Sequence, residues 1–279
     1  MRCLVTGHKG FVGTKLTNFL KEKGCHVTGV DLKEGENILE ILPEDSYDLV
    51  FHLAALPRVE YSVNNPSYTL KNNVLGTSKV LEWASKHGVK RFIFSSSSAI
   101  YGDGAGPISP YGLHKRMSEM ECELYSNLFG LETVSLRYFN IFAEEQEYGG
   151  AYSTIICAWK EMIRRQEPLR IDGTGDQRRD YIHVDDVCKA NWFFATCDEV
   201  KLAGETYDIG TGESISVNQI KEIVDKYHDV TWNYASPRVG DPFETKANTT
   251  YTKQLGWEAQ GSPIELIEEC FKKNKGELK

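Results

Sequence analysis

Two residues capable of acid–base chemistry, Tyr111 and Lys115, lie four positions apart in this chain of 279 residues. On a helix this spacing puts both side chains on one face, with about 6 Å between their Cβ atoms. A free phenol has a pKa of about 10 and is a weak base at neutral pH. Since a neighbouring ammonium group favours the phenolate, the pair predicts a tyrosine base whose pKa is lowered by the lysine.

A run of serines, Ser95–Ser98, lies upstream in FSSSSAIYG, where a predicted strand ends. The carboxyl ends of parallel strands face the ligand crevice of an α/β sheet. A serine hydroxyl there could hydrogen-bond both the tyrosine oxygen and a hydroxyl or carbonyl group of a substrate. The alternatives are a flexible serine loop and a surface Tyr–Lys pair, and the hydrophobic residues on both sides of the serines argue against the loop.

Three glycines, Gly7, Gly10 and Gly13, follow the first predicted strand and open the first predicted helix. Glycines at such a turn let the backbone approach a pyrophosphate, and the helix N-terminus offers it free N–H groups. An ordinary glycine turn would need no acidic partner, but Asp31 ends the second predicted strand. A carboxylate there accepts hydrogen bonds from ribose hydroxyls and repels a 2′-phosphate, so the pattern predicts a dinucleotide site that prefers NAD to NADP.

Short apolar runs alternate with amphipathic stretches over the first 140 residues, which predicts a parallel sheet covered by helices on both faces. The predicted strands are Arg2–Val5, His26–Val30, Leu49–Leu53, Arg91–Ser95 and Leu131–Leu136. The predicted helices are Gly13–Lys23, Asn73–Lys86 and Tyr111–Leu128. We therefore expect an α/β fold with a Rossmann-type, doubly wound parallel sheet.

The alternation loosens after Asn140, which indicates a smaller, discontinuous C-terminal substrate lobe. Helices are expected at Ile155–Arg165, Asp185–Thr196, Ser216–Tyr227 and Ile264–Lys273, with a strand at Glu205–Ile209. We assign 1–140 to an NAD-binding Rossmann domain that also receives 178–215. We assign 141–177 and 216–279 to the substrate-binding lobe.

The composition excludes collagen-like and wholly disordered chains, since 41% of the residues are hydrophobic. A formal net charge of −8 argues against nucleic acid or an anionic membrane as the main partner. No apolar run is long enough to span a membrane. The seven cysteines never occur as C-x-x-C, so reduced thiols in a cytoplasmic protein are expected. No histidine cluster has metal-ligand spacing, so no metal site is expected.

Eight segments occur in the order seen in the extended short-chain dehydrogenases/reductases. They are TGHKGFVG, DLVFHLAA, NNVLGT, FSSSSAIYG, YGLHK, RYFN, RRDYIHVDDV and YDIGTGESISV. More narrowly, the chain resembles the NAD-dependent epimerase/dehydratase family that acts on nucleotide-sugars and, within it, the UDP-glucose/UDP-galactose 4-epimerases. The resemblance covers the chain to about residue 260.

The resemblance implies roles for individual residues. The catalytic group would be Tyr111 as base and acid, Lys115, and Ser97, which is preferred to Ser96 by counting back from Tyr101. The residues that bind NAD would be Gly7, Gly10, Phe11, Val12, Gly13, Asp31, Leu53, Ala54, Ala55, Asn73, Tyr111 and Lys115. The residues that bind the substrate would be Ser97, Asn140, Arg179 and Arg238. The arginines suit a nucleotide diphosphate, and a UDP-sugar is favoured.

The family also implies a reaction and an assembly. An epimerase oxidises the sugar at C4, lets the 4-keto sugar turn over, and reduces its opposite face, so bound NAD is regenerated. The related 4,6-dehydratases carry an Asp-Glu pair where this chain has Ser98 and Ala99, so water elimination is discounted. A keto-sugar reductase or dehydrogenase and a non-catalytic NAD-binding sensor or scaffold remain alternatives. Helices matching 73–88 and 111–128 would pair two copies into a homodimer.

Overall fold

The computed structural model describes residues 1–146, 148–149, 153–197, 202–237 and 242–272. The strands in these ranges are β1 (Arg2–Thr6), β2 (His26–Val30), β3 (Leu49–His52), β4 (Arg91–Ser97), β5 (Glu132–Tyr138), β6 (Asn140–Phe142), β7 (Leu169–Asp172), β8 (Arg178–His183), β9 (Ala203–Ile209), β10 (Ser214–Ser216), β11 (Trp232–Ala235) and β12 (Glu244–Thr245).

The α-helices in the same ranges are α1 (Phe11–Glu22), α2 (Val59–Asn64), α3 (Pro66–Leu70), α4 (Gly76–Lys86), α5 (Pro110–Phe129), α6 (Ile155–Arg164), α7 (Val184–Thr196), α8 (Val217–Tyr227), α9 (Thr250–Gln254) and α10 (Pro263–Lys272). A π-helical turn, Lys71–Leu75, joins α3 to α4. Short 3₁₀ turns follow β2 and β4, at Leu32–Glu34 and Ser98–Ile100.

The large sheet has six parallel strands in the order β2-β1-β3-β4-β5-β9. The strand order reverses between β1 and β3, and such reversals are where open α/β sheets hold ligands at their carboxyl ends. Strands β1, β3 and β4 are buried along nearly their whole length, as expected for a sheet covered on both faces. The predicted Rossmann-type sheet is confirmed.

Helices cover both faces of this sheet, and their apolar sides form the core. One cluster joins the sheet to α1 and α7 through residues such as Leu16 and Phe194. A second joins the opposite face to α4 and α5, with Leu81 and Cys122 among its members. A third core, around Trp159 and Phe271, belongs to the later helices α6, α8 and α10.

Strand β8 is the centre of a small second sheet, where it pairs with β6, β10 and β12. The range 178–215 therefore divides between the sheets, since α7 and β9 join the large one and β8 and β10 the small one. The predicted division into two lobes stays a prediction. In the part of the chain that the structure describes, no helix is both long and apolar enough to cross a membrane.

The helix predicted at Asn73–Lys86 differs most from its prediction. The helical run begins at Pro66, and Asn73 lies in the π-turn rather than at a helix start. The run of apolar residues that suggested the helix starts only at Val74, so the apolar pattern could not show the earlier turns. The short strands β6, β10, β11 and β12 were also not predicted, because two to four residues carry too little periodicity.

Candidate active site

The glycine loop after β1 approaches the loop after β3 so closely that no side chain fits between them. Gly7 has φ +75°, and a Cβ on it would lie 2.8 Å from the backbone nitrogen of Ala54. A Cβ on Gly13 would lie 2.1 Å from the carbonyl oxygen of Gly7. We call the loop 7–13 together with Leu53, Ala54 and Ala55 the cofactor cradle. Its shape depends on glycine at both positions.

The N-terminus of α1 leaves its first amide groups free for a ligand. Gly10 is the N-cap residue, with no side-chain capping hydrogen bond, and the first turn contains no acidic residue. The N–H groups of Phe11, Val12 and Gly13 have no intrahelical acceptors, and the helix dipole adds positive potential there. This end of α1 therefore suits a pyrophosphate.

Asp31 lies at the carboxyl end of β2 and is nearly buried, with 9% of its surface exposed. Its Oδ2 accepts the backbone N–H of Lys9 at 2.8 Å, and its Oδ1 accepts that of Lys33 at 2.9 Å. A carboxylate has about four acceptor positions, so two remain for ribose hydroxyls. The cradle, the free helix terminus and Asp31 together fit a dinucleotide.

Asn73 fixes the loop that continues from the cradle. Its side-chain amide donates to the carbonyl oxygen of Leu56 at 3.1 Å and accepts from the Leu56 N–H at 2.8 Å. Asn73 is 3% exposed. The structure thus places this predicted cofactor residue beside the cradle, with both of its amide groups engaged in holding the loop.

The sequence-predicted catalytic residues converge at the carboxyl end of β4. Ser97 is the last residue of β4 and lies within hydrogen-bonding reach of the Tyr111 phenol. The Lys115 ammonium is 6.0 Å from the centre of the Tyr111 ring and donates to the carbonyl oxygen of Ser95 at 2.5 Å. Ser96, the alternative serine, donates instead to Glu119 at 2.6 Å. Ser97 is therefore the serine that faces Tyr111.

Burial sets the protonation of this group. Burial raises the pKa of Tyr111 to about 12, and the hydrogen bond from Ser97 only partly opposes it. Burial also lowers the pKa of Lys115 to about 8. The prediction that the pKa of Tyr111 would be lowered is wrong for the protein by itself, because burial away from water disfavours the phenolate.

His52 was not singled out from the sequence, yet it links three elements under the site. Its Nδ1 lies 2.6 Å from the Thr6 hydroxyl and its Nε2 lies 3.0 Å from the Thr77 hydroxyl. Burial and the nearby charge of Lys115 lower its pKa to about 3. The imidazole is therefore neutral at ordinary pH and serves as a bridge between β1, β3 and α4.

Asn140 and Arg179, predicted to bind the substrate, lie on the paired strands β6 and β8. Asn140 Nδ2 donates to the carbonyl oxygen of Asp180 at 3.1 Å. Arg179 Nη1 donates to the carbonyl oxygens of Arg178 and Phe243, at 2.7 and 3.3 Å. Asn140 lies two residues beyond Tyr138, which pairs with Ser97 across the large sheet. Arg238 lies outside the described residues.

Asp180 organises the same region and was missed from the sequence. It is fully buried and accepts four hydrogen bonds, from Thr211 N–H and hydroxyl, Gly212 N–H and Ala247 N–H. Burial raises the pKa of this carboxyl, and these hydrogen bonds oppose the rise. The one sequence feature that pointed to Asp180 was its position next to Arg179. Its hydrogen-bond partners are more than 30 residues away in the chain, so no local sequence pattern could predict them.

The comparisons with known proteins agree with this geometry. Residues 3–210 match the model of the NAD dependent epimerase/dehydratase family. The chain belongs to that family. A UDP-glucuronate 4-epimerase of Thermodesulfobacterium geofontis is 29% identical, over 97% of this chain and 94% of the relative.

Two solved structures share the whole fold. UDP-glucose 4-epimerase of Thermotoga maritima, solved with UDP-glucose, is 33% identical with a TM-score of 0.83, covering 98% of this chain and 99% of that one. UDP-glucuronic acid 4-epimerase of Bacillus cereus, solved with UDP-glucuronic acid and NAD, is 28% identical with a TM-score of 0.86 and the same coverage. The predicted family, NAD cofactor and class of enzyme, an NAD-dependent nucleotide-sugar epimerase, are confirmed.

Proposed function

We propose that this enzyme inverts C4 of a UDP-sugar, with Tyr111 as the group that takes and returns the hydroxyl proton. The observation that carries the proposal is the meeting of Ser97, Tyr111 and Lys115 at the carboxyl end of β4, in a sheet whose glycine cradle fits NAD. When bound, NAD supplies the hydride acceptor and donor for C4, and its positive nicotinamide ring favours a phenolate at Tyr111.

The side chains then divide the remaining work. The phenol oxygen of Tyr111 removes the C4 hydroxyl proton and gives it back after the sugar has turned. The Ser97 hydroxyl donates to the phenol oxygen and holds the sugar oxygen near it. Lys115, held by the Ser95 carbonyl oxygen, supplies the positive charge that stabilises the phenolate. The hydroxyl proton and the hydride are both returned to the sugar, so the cycle needs no external reductant.

Arg179 and Asn140 support a substrate anchored by its diphosphate. They lie together on the small sheet, beyond the strand end that holds Ser97. Arg238 is proposed as a second arginine for the same group by the family resemblance alone. A diphosphate held at that end leaves the sugar free to rotate at Tyr111, as inversion requires. The UDP-sugars bound in the two solved neighbours support uracil as the base.

The alternatives explain fewer of these contacts. A keto-sugar reductase would need a cofactor that leaves after each cycle, and Asp31 disfavours the NADPH that serves most reductions. A sensor or scaffold that only binds NAD has no use for a buried Tyr111–Lys115 pair, which carries the cost of burying an amine. Neither alternative is favoured by a contact of its own.

Incubation with UDP-glucose, UDP-N-acetylglucosamine and UDP-glucuronic acid, without added reductant and followed by NMR, tests the proposal. We expect conversion of at least one of them to its C4 epimer. A panel of GDP-, CDP- and dTDP-sugars checks the base. Consumption of a keto-sugar only when reduced cofactor is supplied would establish the reductase instead, and NAD binding without any conversion would establish the sensor.

We also propose a homodimer formed through the segments 73–88 and 111–128, together with α3, which precedes the first of them. An apolar stripe is exposed on these helices: Tyr68, Leu75, Leu113, Met120, Leu124 and Leu128. Exposed apolar patches of this kind mark association surfaces. We expect Leu124→Glu to sediment as a monomer while Ile41→Glu, at a similarly exposed residue elsewhere, remains a dimer. Equal sedimentation of both variants would exclude this surface.

A cytoplasmic location and a two-lobe division complete the proposal. All seven cysteines are free thiols and six are buried, which suits a reducing compartment. The separate core around Trp159 and Phe271 supports an NAD-binding domain of 1–140 with parts of 178–215 and a substrate lobe formed by the rest, with Trp257 packing into the core of the large sheet.

A further inference from the structure

A buried carboxylate that the proposed mechanism does not use lies one turn after Lys115 on α5. Glu119 is 2% exposed. Its Oε1 accepts from Ser96 Oγ at 2.6 Å and from Arg137 Nε at 2.8 Å. Its Oε2 accepts from Arg137 Nη2 at 2.8 Å and from Arg116 Nη1 at 3.2 Å. These four donors fill the acceptor positions of a carboxylate.

The Glu119–Arg137 ion pair holds both ends of the segment that contains Ser97. Ser96, at the start of this segment, bonds to Glu119, and its Cα partner across the sheet is Arg137. Tyr101, at the end, accepts from Arg137 Nη1 at 2.7 Å. Tyr101 in turn donates to Asp208 Oδ1 at 2.6 Å. We call Ser96, Glu119, Arg137 and Tyr101 the Glu119 clamp.

The same helix is tied to β4 at two successive residues. Lys115 donates to the carbonyl oxygen of Ser95, and Glu119 accepts from the hydroxyl of Ser96. Ser97 is the next residue along the strand, and Tyr111 is one turn before Lys115 on the helix. The two ties therefore set how the Ser97 hydroxyl meets the Tyr111 phenol.

We propose that Glu119 is a positioning residue for epimerisation, which holds Ser97 against Tyr111 by clamping both ends of the segment 96–101. The inference rests on the proposed function of Tyr111 and Ser97. A displacement of about 1 Å at reacting groups can lower a rate by about 100-fold, so loss of one clamp bond should lower turnover without changing substrate affinity. Arg116, the exposed partner of Glu119, is not needed for this.

Ser96→Ala is the decisive variant, because it removes one clamp bond and leaves the buried ion pair whole. We expect kcat per bound NAD to fall on the order of 10-fold, with KM for the UDP-sugar and the NAD content unchanged. Ser78→Ala is the matched control, since Ser78 also donates to a glutamate of α5, Glu121, but belongs to α4 and not to β4. Its kcat should equal that of the wild type.

Glu119 itself is tested by comparing two replacements. Glu119→Gln keeps an oxygen that accepts from Ser96 and should recover most of the turnover that Glu119→Ala loses. If Glu119→Ala does not fold, Ser96→Ala still decides the question. Wild-type kcat in Ser96→Ala would overturn the positioning role, as would equal losses in Ser96→Ala and Ser78→Ala. Absence of conversion by the wild type would instead overturn the proposed function.

Discussion

The cofactor cradle and the proposed catalytic centre at the end of β4 are formed by different parts of the residues, the backbone in one and the side chains in the other. The cradle is formed by backbone. Because Gly7 and Gly13 have no side chains, two loops and a helix approach each other more closely there than a Cβ atom would allow. The end of β4 is made of side chains, because Lys115 bonds to the carbonyl oxygen of Ser95 and Glu119 to the hydroxyl of Ser96, the two residues before Ser97.

The difference predicts how each region fails. A cradle defined by close approach should fail through the fold and the cofactor together, since an added atom pushes the elements apart. In a centre formed by side chains, a substitution should lower turnover while the fold and the bound cofactor are retained. Substitutions in the two regions should therefore separate turnover from NAD content.

Removal of the phenol oxygen should have the largest effect on turnover. In Tyr111→Phe we expect kcat to fall about 1,000-fold, because the variant lacks the group that we propose moves the C4 hydroxyl proton. NAD content, measured by mass spectrometry of the purified protein, should stay at the wild-type level. Tyr125→Phe, on the same helix, is the control and should keep full turnover. Loss of NAD from Tyr111→Phe would show that the two regions are not separable.

Addition of a methyl group to the cradle should lower stability and NAD content together. Gly7 and Gly24 share a left-handed backbone, with φ +75° and +77°, but a Cβ on Gly7 meets Ala54 whereas a Cβ on Gly24 meets nothing within 4 Å. We expect Gly24→Ala to cost about 1 kcal/mol of unfolding free energy and to keep its NAD. Gly7→Ala should cost about 3 kcal/mol and lose NAD.

Urea unfolding and the NAD content of the two alanine variants measure this difference. Because backbone strain is the same at both positions, the excess loss in Gly7→Ala reports the close approach alone. Equal losses in the two variants would mean that crowding against Ala54 contributes nothing.

A pH dependence of stability is expected at the side-chain centre. Burial lowers the Lys115 pKa from 10.5 to about 8. Between these values the unfolded chain binds a proton that the folded chain lacks, so the contribution of Lys115 to the unfolding free energy rises with pH. The rise should be on the order of 3 kcal/mol across the window.

The difference between wild type and Lys115→Met isolates this contribution from the other groups that titrate there. Urea unfolding curves give the unfolding free energy of both proteins at each pH. The wild-type value minus the variant value should increase as pH rises from about 8 to 10.5. A difference that stays flat would show that Lys115 keeps an ordinary pKa in the folded protein.

The glycine cradle could be predicted from the sequence because its signals are local. A strand, three glycines, a helix and an acidic residue at the end of the next strand follow one another within 31 residues. The same holds for Tyr111 and Lys115, which share one helix. The large parallel sheet was predicted from continuous apolar strands that alternate with helices, whereas the order of its strands was not predicted.

The rest depends on contacts between distant parts of the chain. Glu119 meets Arg137 and Asp180 meets Ala247 only after the fold has formed, and neither pair has a spacing that the sequence could reveal. The direction of the Tyr111 pKa shift was missed for a related reason. It follows from how deeply the phenol is buried, which depends on the whole packing around α5.

The wide π-turn at Lys71–Leu75 bears on which insertions and deletions this chain can tolerate. Such a turn is equivalent to one extra residue placed inside a regular helix. Deletion of one residue here would convert the turn into a regular α-helical one and displace the residues inside it, Asn73 among them. The amide of Asn73 would then no longer meet Leu56, and the loop beside the cradle would lose its anchor. Deletion of a single residue from a stretch that looks like ordinary surface helix would thus disturb the cofactor cradle.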